Sequence, residues 1–178
     1  AYGGGRRGIE IRYAIVTSPL GQVLVAVTER GVCAVRMSDT DTELEKDLRA
    51  EFPAATIKRD DSALREPVRR VLDHLTNREP QLDLPLDIRA PAFQRQVWEL
   101  LRAIPYGQTV SYGDVAKALG KPGAVRAVGR ACATNPVALV IPCHRVVRED
   151  QSLGGYRWGL ERKQKLLQHE RSVTKPRS

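Results

Sequence analysis

The spacing of the apolar residues changes near residue 89, and this change constrains the fold more than any other feature of the sequence. In the first half, three short runs rich in β-branched residues are separated by glycine-containing turns, at 11–16, 23–28 and 32–37. They predict an antiparallel meander. Helical spacing follows over 42–52 and 67–75, and 82–88 alternates like an edge strand. We therefore predict an α/β fold whose N-terminal domain, residues 1–88, is a small antiparallel sheet with helices that acts as a scaffold.

The second half shows helical spacing. Ser111 and Asp114 form a capping-box pattern, which predicts the start of a helix. A glycine-containing turn at 120–123 separates this helix from another over 124–134, and two short helices around such a turn form a helix-turn-helix. We therefore predict a mostly helical C-terminal domain, residues 89–178, with a helix-turn-helix.

The net charge also differs between the two halves of the chain. The net charge is +8, but residues 1–88 carry −2 and residues 89–178 carry +10, which is typical of a nucleic-acid-binding half. The second helix of the motif places Arg126 and Arg130 on one side, and the residues beside them are small: Ala127, Gly129 and Ala131. Because few large base-reading side chains are available there, we expect sequence-independent binding of double-stranded DNA, in the minor groove.

The number and spacing of the cysteines indicate the redox compartment of the protein and whether it binds a metal. The cysteines, at 33, 132 and 143, are odd in number and unevenly spaced, which argues against a disulfide framework and for a cytoplasmic location. Cys132 shares a predicted helix face with Val125 and Val128, so we expect it in the core. The cysteines and histidines lack zinc-ligand spacing, so we expect no metal. No apolar run reaches the length of about 18 residues that spans a membrane, so no membrane partner is expected.

One stretch of the basic half combines an apolar run with reactive residues. Residues 137–141 predict a buried segment, which Pro142 ends because it has no N–H to donate. Cys143 follows, with His144 and Arg145 directly after it. A neighbouring cationic or basic group favours the thiolate form of a cysteine. On these residues alone, a buried structural cysteine is the alternative interpretation.

The sequence Ile141-Pro-Cys-His-Arg-Val-Val147, with Asn135-Pro136 before it, resembles the active-site signature of the O6-alkylguanine-DNA alkyltransferases, and the resemblance covers residues 92–170. Members of that family transfer an alkyl group from O6 of guanine in DNA irreversibly to one of their own cysteines. The resemblance implies single-turnover repair of O6-alkylguanine with Cys143 as the acceptor and without a cofactor, and it leaves O4-alkylthymine open as a second substrate. It also implies a ribonuclease H-like N-terminal domain.

The family's functional residues fall on matching positions of this sequence. His144 and Glu170 match the pair in which a histidine, polarised by a carboxylate, takes the thiol proton through a bound water. A thiol needs such a relay because little of it is thiolate at pH 7. Tyr112 matches the residue that helps to rotate the target nucleotide out of the duplex, and Arg126 matches the one that fills the vacated stack. Asn135 matches the asparagine that braces the turn near the active site.

Further positions complete the implied contacts with the base and with DNA. Main-chain groups at Val146 and in the loop of Tyr156 and Arg157 match those that bind the edge of the flipped base. Trp158 lies in the same glycine-bounded loop and is expected to line the base pocket. In the helix-turn-helix we expect DNA contacts from Ser111, Ala127 and Arg130.

Two departures distinguish this chain from other members. Some relatives carry zinc in the N-terminal half, and its ligands are missing here. Where broad-specificity members have small residues and a proline around the pocket, Ala138, Arg157 and Trp158 resemble the bacterial Ada-type branch. The glycine-rich start, Ala1–Gly8, then resembles a linker to an N-terminal regulatory domain in a longer protein, although removal of a methionine before Ala1 would give the same start. We expect a monomer.

Two other functions compete with repair. A DNA-binding regulator would use the helix-turn-helix and carry Cys143 as a spectator, but the arginine helix lacks base-reading side chains and nothing resembles a dimerisation helix. A cysteine hydrolase would need a turnover mechanism, and it does not account for the basic second half. Mass spectrometry after incubation with alkylated DNA distinguishes the three.

Overall fold

A computed structural model of the chain describes residues 8–76 and 80–174. The chain divides into two compact units, Ala1–Ala90 with Pro136–Val140, and Pro91–Asn135 with Ile141–Ser178. The first contains the main sheet and the second is mostly helical, so the predicted fold class is confirmed. The glycine-rich start, up to residue 7, lies outside the described residues.

The first unit is built on a four-stranded sheet with the order β3-β2-β1-β4. The predicted antiparallel meander is present, and its strands are β1 (Glu10–Ser18), β2 (Gly21–Thr28) and β3 (Gly31–Ser38). A fourth strand, β4 (Thr56–Arg59), pairs parallel with β1. We did not predict β4, because three of its four residues are exposed and it shows no apolar alternation.

Two helices accompany this sheet where helical spacing predicts them, α1 (Asp41–Glu51) and α2 (Arg65–Leu75). Thr40 caps α1, since its side chain accepts a hydrogen bond from Glu43 N at 3.3 Å. Leu44 and Leu48 of α1 are buried against inward-facing residues of the strands, and these include Cys33. The hydrophobic core of the first unit thus lies between α1 and the meander.

Two extended segments are less regular than the sequence predicts. Over 82–88, only Leu86 bridges to β3, and Pro85, which has no N–H, contributes only its carbonyl. Residues 137–141 are buried as predicted; Val137 bridges to β3, and turns follow over 138–140. Leu139 has φ of 72°, a left-handed conformation that interrupts a strand.

The second unit packs helices around a small apolar core. Its elements are α3 (Ala92–Arg102), β5 (Val110–Ser111), α4 (Tyr112–Ala118), α5 (Val125–Ala133), β6 (Val146–Val147) and α6 (Leu160–Thr174). Helices α4 and α5 form the predicted helix-turn-helix. Trp98 of α3 donates from Nε1 to Ala131 O at 2.9 Å and thereby ties α3 to α5. β5 and β6 pair in parallel and bring Ser111 beside Val147, a few residues after Cys143.

Over residues 8–76 and 80–174, no helix combines the length and the apolar character that crossing a bilayer requires. In the same part of the chain, no cluster of His, Cys, Asp and Glu side chains has the arrangement of a metal site.

Candidate active site and DNA-binding surface

The first turn of α4 is fixed by its cap. Ser111 Oγ accepts from Asp114 N at 2.9 Å, and Asp114 Oδ2 accepts from Ser111 N at 3.0 Å, so the predicted capping box is present. The Ser111 hydroxyl also donates to Glu149 Oε1 at 3.1 Å. Ser111 is buried, and the hydroxyl of this predicted DNA contact is therefore used inside the protein.

Tyr112 follows as the first residue of α4 and is half-buried. Its ring lies against Gly154, where a side chain would bring its Cβ to 2.9 Å from Tyr112 Oη. Gly154 also has φ of 68°, which favours glycine. Burial raises the pKa of Tyr112 to about 12, so its hydroxyl is protonated at neutral pH and is a hydrogen-bond donor.

Cys143 opens a turn of 3-10 helix, Cys143–Arg145. Its side chain is buried, and Asn135 Nδ2 donates to Sγ at 3.2 Å and to Ile141 O at 2.8 Å. Arg157 Nη1 in turn donates to Asn135 O at 2.6 Å. The structure thus brings the predicted acceptor cysteine into contact with the predicted bracing asparagine.

The sulfur is a neutral thiol in this environment. Burial raises the pKa of Cys143 well above its ordinary value, the neighbouring Cys132 raises it further, and the Asn135 amide lowers it. A base must therefore remove the proton before the sulfur can act as a nucleophile. Burial is the largest of these effects, and it accords with the expectation that the thiol needs a relay to lose its proton.

His144 and Glu170 form a buried pair, with His144 Nε2 2.7 Å from Glu170 Oε2. Burial alone would raise the pKa of Glu170, but hydrogen bonds and charges from His144 and Arg145 lower it to about 2. Burial lowers the pKa of His144. At neutral pH a carboxylate faces a neutral imidazole, whose proton lies on Nε2 because a carboxylate only accepts. Nδ1 is then a basic acceptor, and no protein group within residues 8–76 and 80–174 hydrogen-bonds to it.

Arg145 is a member of the site whose contacts the sequence did not predict. Its Nε donates to Glu170 Oε1 at 2.9 Å, its Nη2 to Glu170 Oε2 at 3.2 Å and its Nη1 to Ile104 O at 2.8 Å. Its guanidinium also lies 5.4 Å from the centroid of the Tyr106 ring. Arg145 therefore fixes the carboxylate that orients His144.

The loop between β6 and α6 carries the other predicted pocket residues. The Tyr156 ring meets the rings of His144 and Trp158 edge-on, with centroids 6.4 and 5.3 Å apart. Burial raises the pKa of Tyr156 well above its ordinary value, so the phenol stays protonated. Trp158 is buried, and the exposed Arg157 has its guanidinium 5.5 Å from the Trp158 ring. The loop thus places aromatic side chains beside His144.

Helix α5 presents its arginines at the surface of the second unit. Arg126 and Arg130 are exposed, and Ala127 between them is half-buried. Val128 and Cys132 are buried as predicted. Val125 is not, because it begins the helix and is 41% exposed, so the predicted core face starts one turn later.

Two family models together match most of this chain. The model described as "6-O-methylguanine DNA methyltransferase, ribonuclease-like domain" matches residues 11–88, and "6-O-methylguanine DNA methyltransferase, DNA binding domain" matches residues 92–172. The chain belongs to the 6-O-methylguanine DNA methyltransferase family. The resemblance inferred from the signature around Cys143 is thereby confirmed.

Sequence identity to individual relatives supports the same family assignment. The chain is 51% identical over 166 residues to the "Bifunctional transcriptional activator/DNA repair enzyme Ada" of Escherichia coli K12, covering 93% of this chain and 47% of the relative. It therefore spans about half the length of that relative. It is 40% identical to a "Methylated-DNA--protein-cysteine methyltransferase" of Mycolicibacterium paratuberculosis, covering 90% of this chain and 93% of the relative.

Solved structures show the same methyltransferase fold. The crystal structure of the Mycobacterium tuberculosis O6-methylguanine methyltransferase matches with a TM-score of 0.80 and 34% identity, covering 94% of this chain and 96% of that one. A structure of the M. tuberculosis protein in complex with DNA matches with a TM-score of 0.78 and 34% identity, covering 92% of this chain and 94% of that one.

Sequence reasoning missed one further buried group in this family member. Lys163 is fully buried and donates from Nζ to the carbonyl of Val146, a predicted base-binding residue, at 2.6 Å. The available signal was its helical spacing with Leu167 and Glu170, both of which are buried. A charged residue at such a position indicates specific acceptors.

Proposed function

We propose that this chain repairs alkylated double-stranded DNA by transferring the alkyl group of O6-alkylguanine to its own Cys143, once per molecule. The observation that carries the proposal is the arrangement around the sulfur. Asn135 donates to Sγ at 3.2 Å, and the adjacent His144 is held by Glu170 at 2.7 Å with an unprotonated Nδ1. Methylated-DNA–protein-cysteine methyltransferases among the relatives support the same reaction.

The buried thiol is activated by proton removal at the moment of reaction. His144 Nδ1 takes the proton of Cys143 through a bound water, and the Glu170 carboxylate stabilises the imidazolium that forms. Arg145 holds that carboxylate in place with two hydrogen bonds. Burial keeps the thiol protonated and unreactive until an alkylated base is present.

The transfer itself exchanges one bond for another. The sulfur lone pair of Cys143 forms an S–C bond with the alkyl carbon as the C–O6 bond breaks, and guanine leaves with the bonding electrons. The Tyr112 hydroxyl, protonated at neutral pH, donates a hydrogen bond to the departing base. The proton that left the thiol balances the charge of the leaving base, so the products are guanine and S-alkylcysteine. The thioether is not cleaved, and the protein acts once.

Duplex DNA is bound through helix α5. The exposed Arg126 and Arg130 approach the backbone from the minor groove, and Ala127 allows the close approach. The target nucleotide flips out, and Arg126 fills the vacated stack. Because these groups do not read base edges, binding is independent of sequence.

The flipped base occupies a pocket beside Cys143. Main-chain groups at Val146 and in the loop of Tyr156 and Arg157 bind its edge, and Trp158 limits the size of the alkyl group. O4-alkylthymine offers the same O-alkyl chemistry, so the proposal leaves it open as a second substrate. The reaction requires no cofactor.

The two halves of the chain have different roles. Residues 1–88 act as the scaffold, and residues 89–178 bind DNA and accept the alkyl group. The protein acts as a monomer in the cytoplasm. The Ada relatives have names that include a regulatory or transcriptional-activator role, and this chain covers 47% of their length.

The test is intact-mass spectrometry after incubation with a duplex that contains one O6-methylguanine. We expect one added methyl group per protein, located on a peptide with Cys143, and no further product after one equivalent. Cys143→Ala abolishes transfer, whereas Cys132→Ala, which removes the neighbouring buried thiol, retains it. Methylation of Cys132, or full activity of Cys143→Ala, would disprove the assignment. Continued turnover would indicate a hydrolase, and binding without methylation a regulator.

A further inference from the structure

The turn that follows helix α3, residues 104–107, contacts both members of the buried ion pair of Arg145 and Glu170. Ile104 O accepts a hydrogen bond from Arg145 Nη1 at 2.8 Å, and Gly107 N donates to Glu170 Oε1 at 3.4 Å. The pair itself is joined by two hydrogen bonds, from Arg145 Nε at 2.9 Å and from Nη2 at 3.2 Å. One short turn therefore holds both the cation and the anion behind the proposed relay.

Glycine makes the geometry of this turn possible. Gln108 N donates to Pro105 O at 3.1 Å, which closes a turn of four residues, and Gly107 at its third position has φ of 86°. A type II turn requires such a positive φ there, which favours glycine. A side chain on Gly107 would also clash with Thr174, which lies one helical turn after Glu170. The turn thus packs closely against the end of α6.

Tyr106 occupies the second position of the turn and places its ring beside Arg145. The guanidinium carbon lies 5.4 Å from the ring centroid, within the range of a cation–π contact. The ring is half-buried, and the side chain of Arg145 is only 7% exposed. The ring therefore helps to shield the guanidinium from water, and electrostatic contacts are stronger where water is excluded.

Tyr106 adds no charge of its own to the site. Burial raises its pKa to about 12, the charge of Glu170 also raises it, and the charge of Arg145 lowers it. The phenol therefore stays neutral over the pH range in which the thiol of Cys143 is to be activated. An effect of Tyr106 on the relay then passes through the ion pair that its ring contacts.

Arg145 in turn acts on both the orientation and the charge of His144. Its hydrogen bonds hold the Glu170 carboxylate, which lies 2.7 Å from His144 Nε2. Burial lowers the pKa of His144 most, the hydrogen bond and charge of Glu170 raise it, and the charges of Arg145 and Lys163 lower it. A neutral imidazole is what the relay requires, because only the neutral form can take the thiol proton. The position of the Arg145 guanidinium therefore influences proton removal.

We propose that Tyr106 is a positioning residue for alkyl transfer, because its ring holds the Arg145 guanidinium against Glu170. Through this ion pair it keeps the His144 imidazole in the orientation that removes the proton of Cys143. The proposal rests on the proposed function. It assigns Tyr106 to the proton relay and not to the binding of DNA, so a change at Tyr106 should affect the rate of transfer more than the affinity for the duplex.

The test compares Tyr106→Leu, which removes the ring, with Tyr106→Phe, which keeps it. Phe93→Leu is the matched control, because the half-buried Phe93 ring lies 5.4 Å from Lys121 Nζ and belongs to α3, outside the relay. Single-turnover methyl transfer from a duplex with one O6-methylguanine is measured against duplex concentration and pH. This gives a limiting rate constant, a half-saturating concentration, the amplitude of transfer and a pH profile.

We expect the limiting rate constant of Tyr106→Leu to fall at least about tenfold, because a small misplacement of reacting groups slows transfer strongly. The half-saturating concentration should change less than about twofold, since α5 is not altered. The acid limb of the pH profile should move to higher pH, because a displaced Arg145 opposes the protonation of His144 less. Tyr106→Phe and Phe93→Leu should stay within about threefold of wild type.

A Tyr106→Leu protein with a wild-type limiting rate constant overturns the proposal, and so does a slower one whose acid limb does not move. Equal slowing of Tyr106→Phe or of Phe93→Leu overturns it as well, because the effect would not then belong to the Tyr106 ring. A lower amplitude with an unchanged rate constant shows that the ring serves stability alone, which also refutes the positioning role.

If Tyr106→Leu does not fold, as judged by circular dichroism, Tyr106→Met takes its place under the same criteria, since methionine fills irregular gaps. If neither variant folds, Tyr106 serves stability and the positioning role is refuted. A wild-type protein that transfers no methyl group refutes the proposed function instead, whereas transfer at one rate by wild type and all variants refutes only the role of Tyr106.

Discussion

Replacing Glu170 by glutamine should destabilise the second unit by an amount that depends on pH. Glu170 accepts from His144 Nε2 at 2.7 Å, from Arg145 Nε at 2.9 Å and Nη2 at 3.2 Å, and from Gly107 N at 3.4 Å. Burial opposes ionisation, but these donors lower the pKa of Glu170 from 4.5 to about 2. At about 1.4 kcal/mol per pH unit, this difference corresponds to about 3 kcal/mol of stability.

The direction of the pH dependence follows from the lowered pKa. A carboxyl whose pKa is lower in the folded protein contributes its full stabilisation above the unfolded value, and it loses that stabilisation as pH falls through the folded value. Glu170 therefore stabilises the protein fully above pH 4.5 and progressively less down to about pH 2. Glutamine at this position does not titrate. The difference between wild type and Glu170→Gln should be about 3 kcal/mol at pH 7 and should narrow below pH 4.5.

Urea unfolding followed by tryptophan fluorescence measures this difference. Both tryptophans, Trp98 and Trp158, lie in the second unit, so the signal reports on the unit that contains Glu170. Glu161→Gln is the control, because Glu161 lies on the exposed side of the same helix and pairs with the exposed Lys165. It should change stability by less than about 0.5 kcal/mol. A difference below about 1 kcal/mol for Glu170→Gln at pH 7, or one that does not narrow with acid, would refute the reasoning.

Three further changes test separate parts of the site. Arg126→Ala should slow methyl transfer from duplex DNA more than alkyl transfer from the free base O6-benzylguanine, since only the duplex has a vacated stack to fill; equal losses in the two rate measurements would exclude Arg126 from this role. Trp158→Gly should speed benzyl transfer relative to methyl transfer, because the buried indole takes up volume beside Tyr156; equal methyl and benzyl rates in wild type would show that Trp158 does not limit the pocket. Ser111→Ala removes the cap of α4 and should lower the unfolding free energy by about 1 kcal/mol, measured by urea unfolding, and an unchanged value would mean that Asp114 alone holds this turn.

The features that sequence predicted well are set by neighbours along the chain. The capping box of Ser111 and Asp114 depends on residues three apart, and it is present with both of its hydrogen bonds. The burial of Val128 and Cys132 on α5 likewise follows from their spacing, since helical residues four apart share a face. The reactive stretch around Cys143 was recognisable because its pattern is specific over consecutive residues.

The features that sequence did not predict depend on partners distant in the chain. Strand β4 exists because it completes the sheet beside β1, and its own four residues carry no signal. Arg145 follows Cys143 directly, yet the 3-10 turn directs its guanidinium to Glu170, 25 residues later. The protonation of Cys143 likewise results from burial that the assembled unit creates, which adjacent residues do not reveal.

Helix α6 buries two charged side chains, although protein cores are usually apolar. Lys163 and Glu170 lie seven residues apart on one face, and each is at most 2% exposed. A buried set of charges is often no more stable than apolar residues of the same volume, whereas removal of one partner is strongly destabilising. Stability alone therefore does not account for these two residues. Under the proposed function, the Glu170 carboxylate is retained because it holds the histidine that takes the thiol proton, whereas Lys163 is retained with main-chain carbonyls as its acceptors.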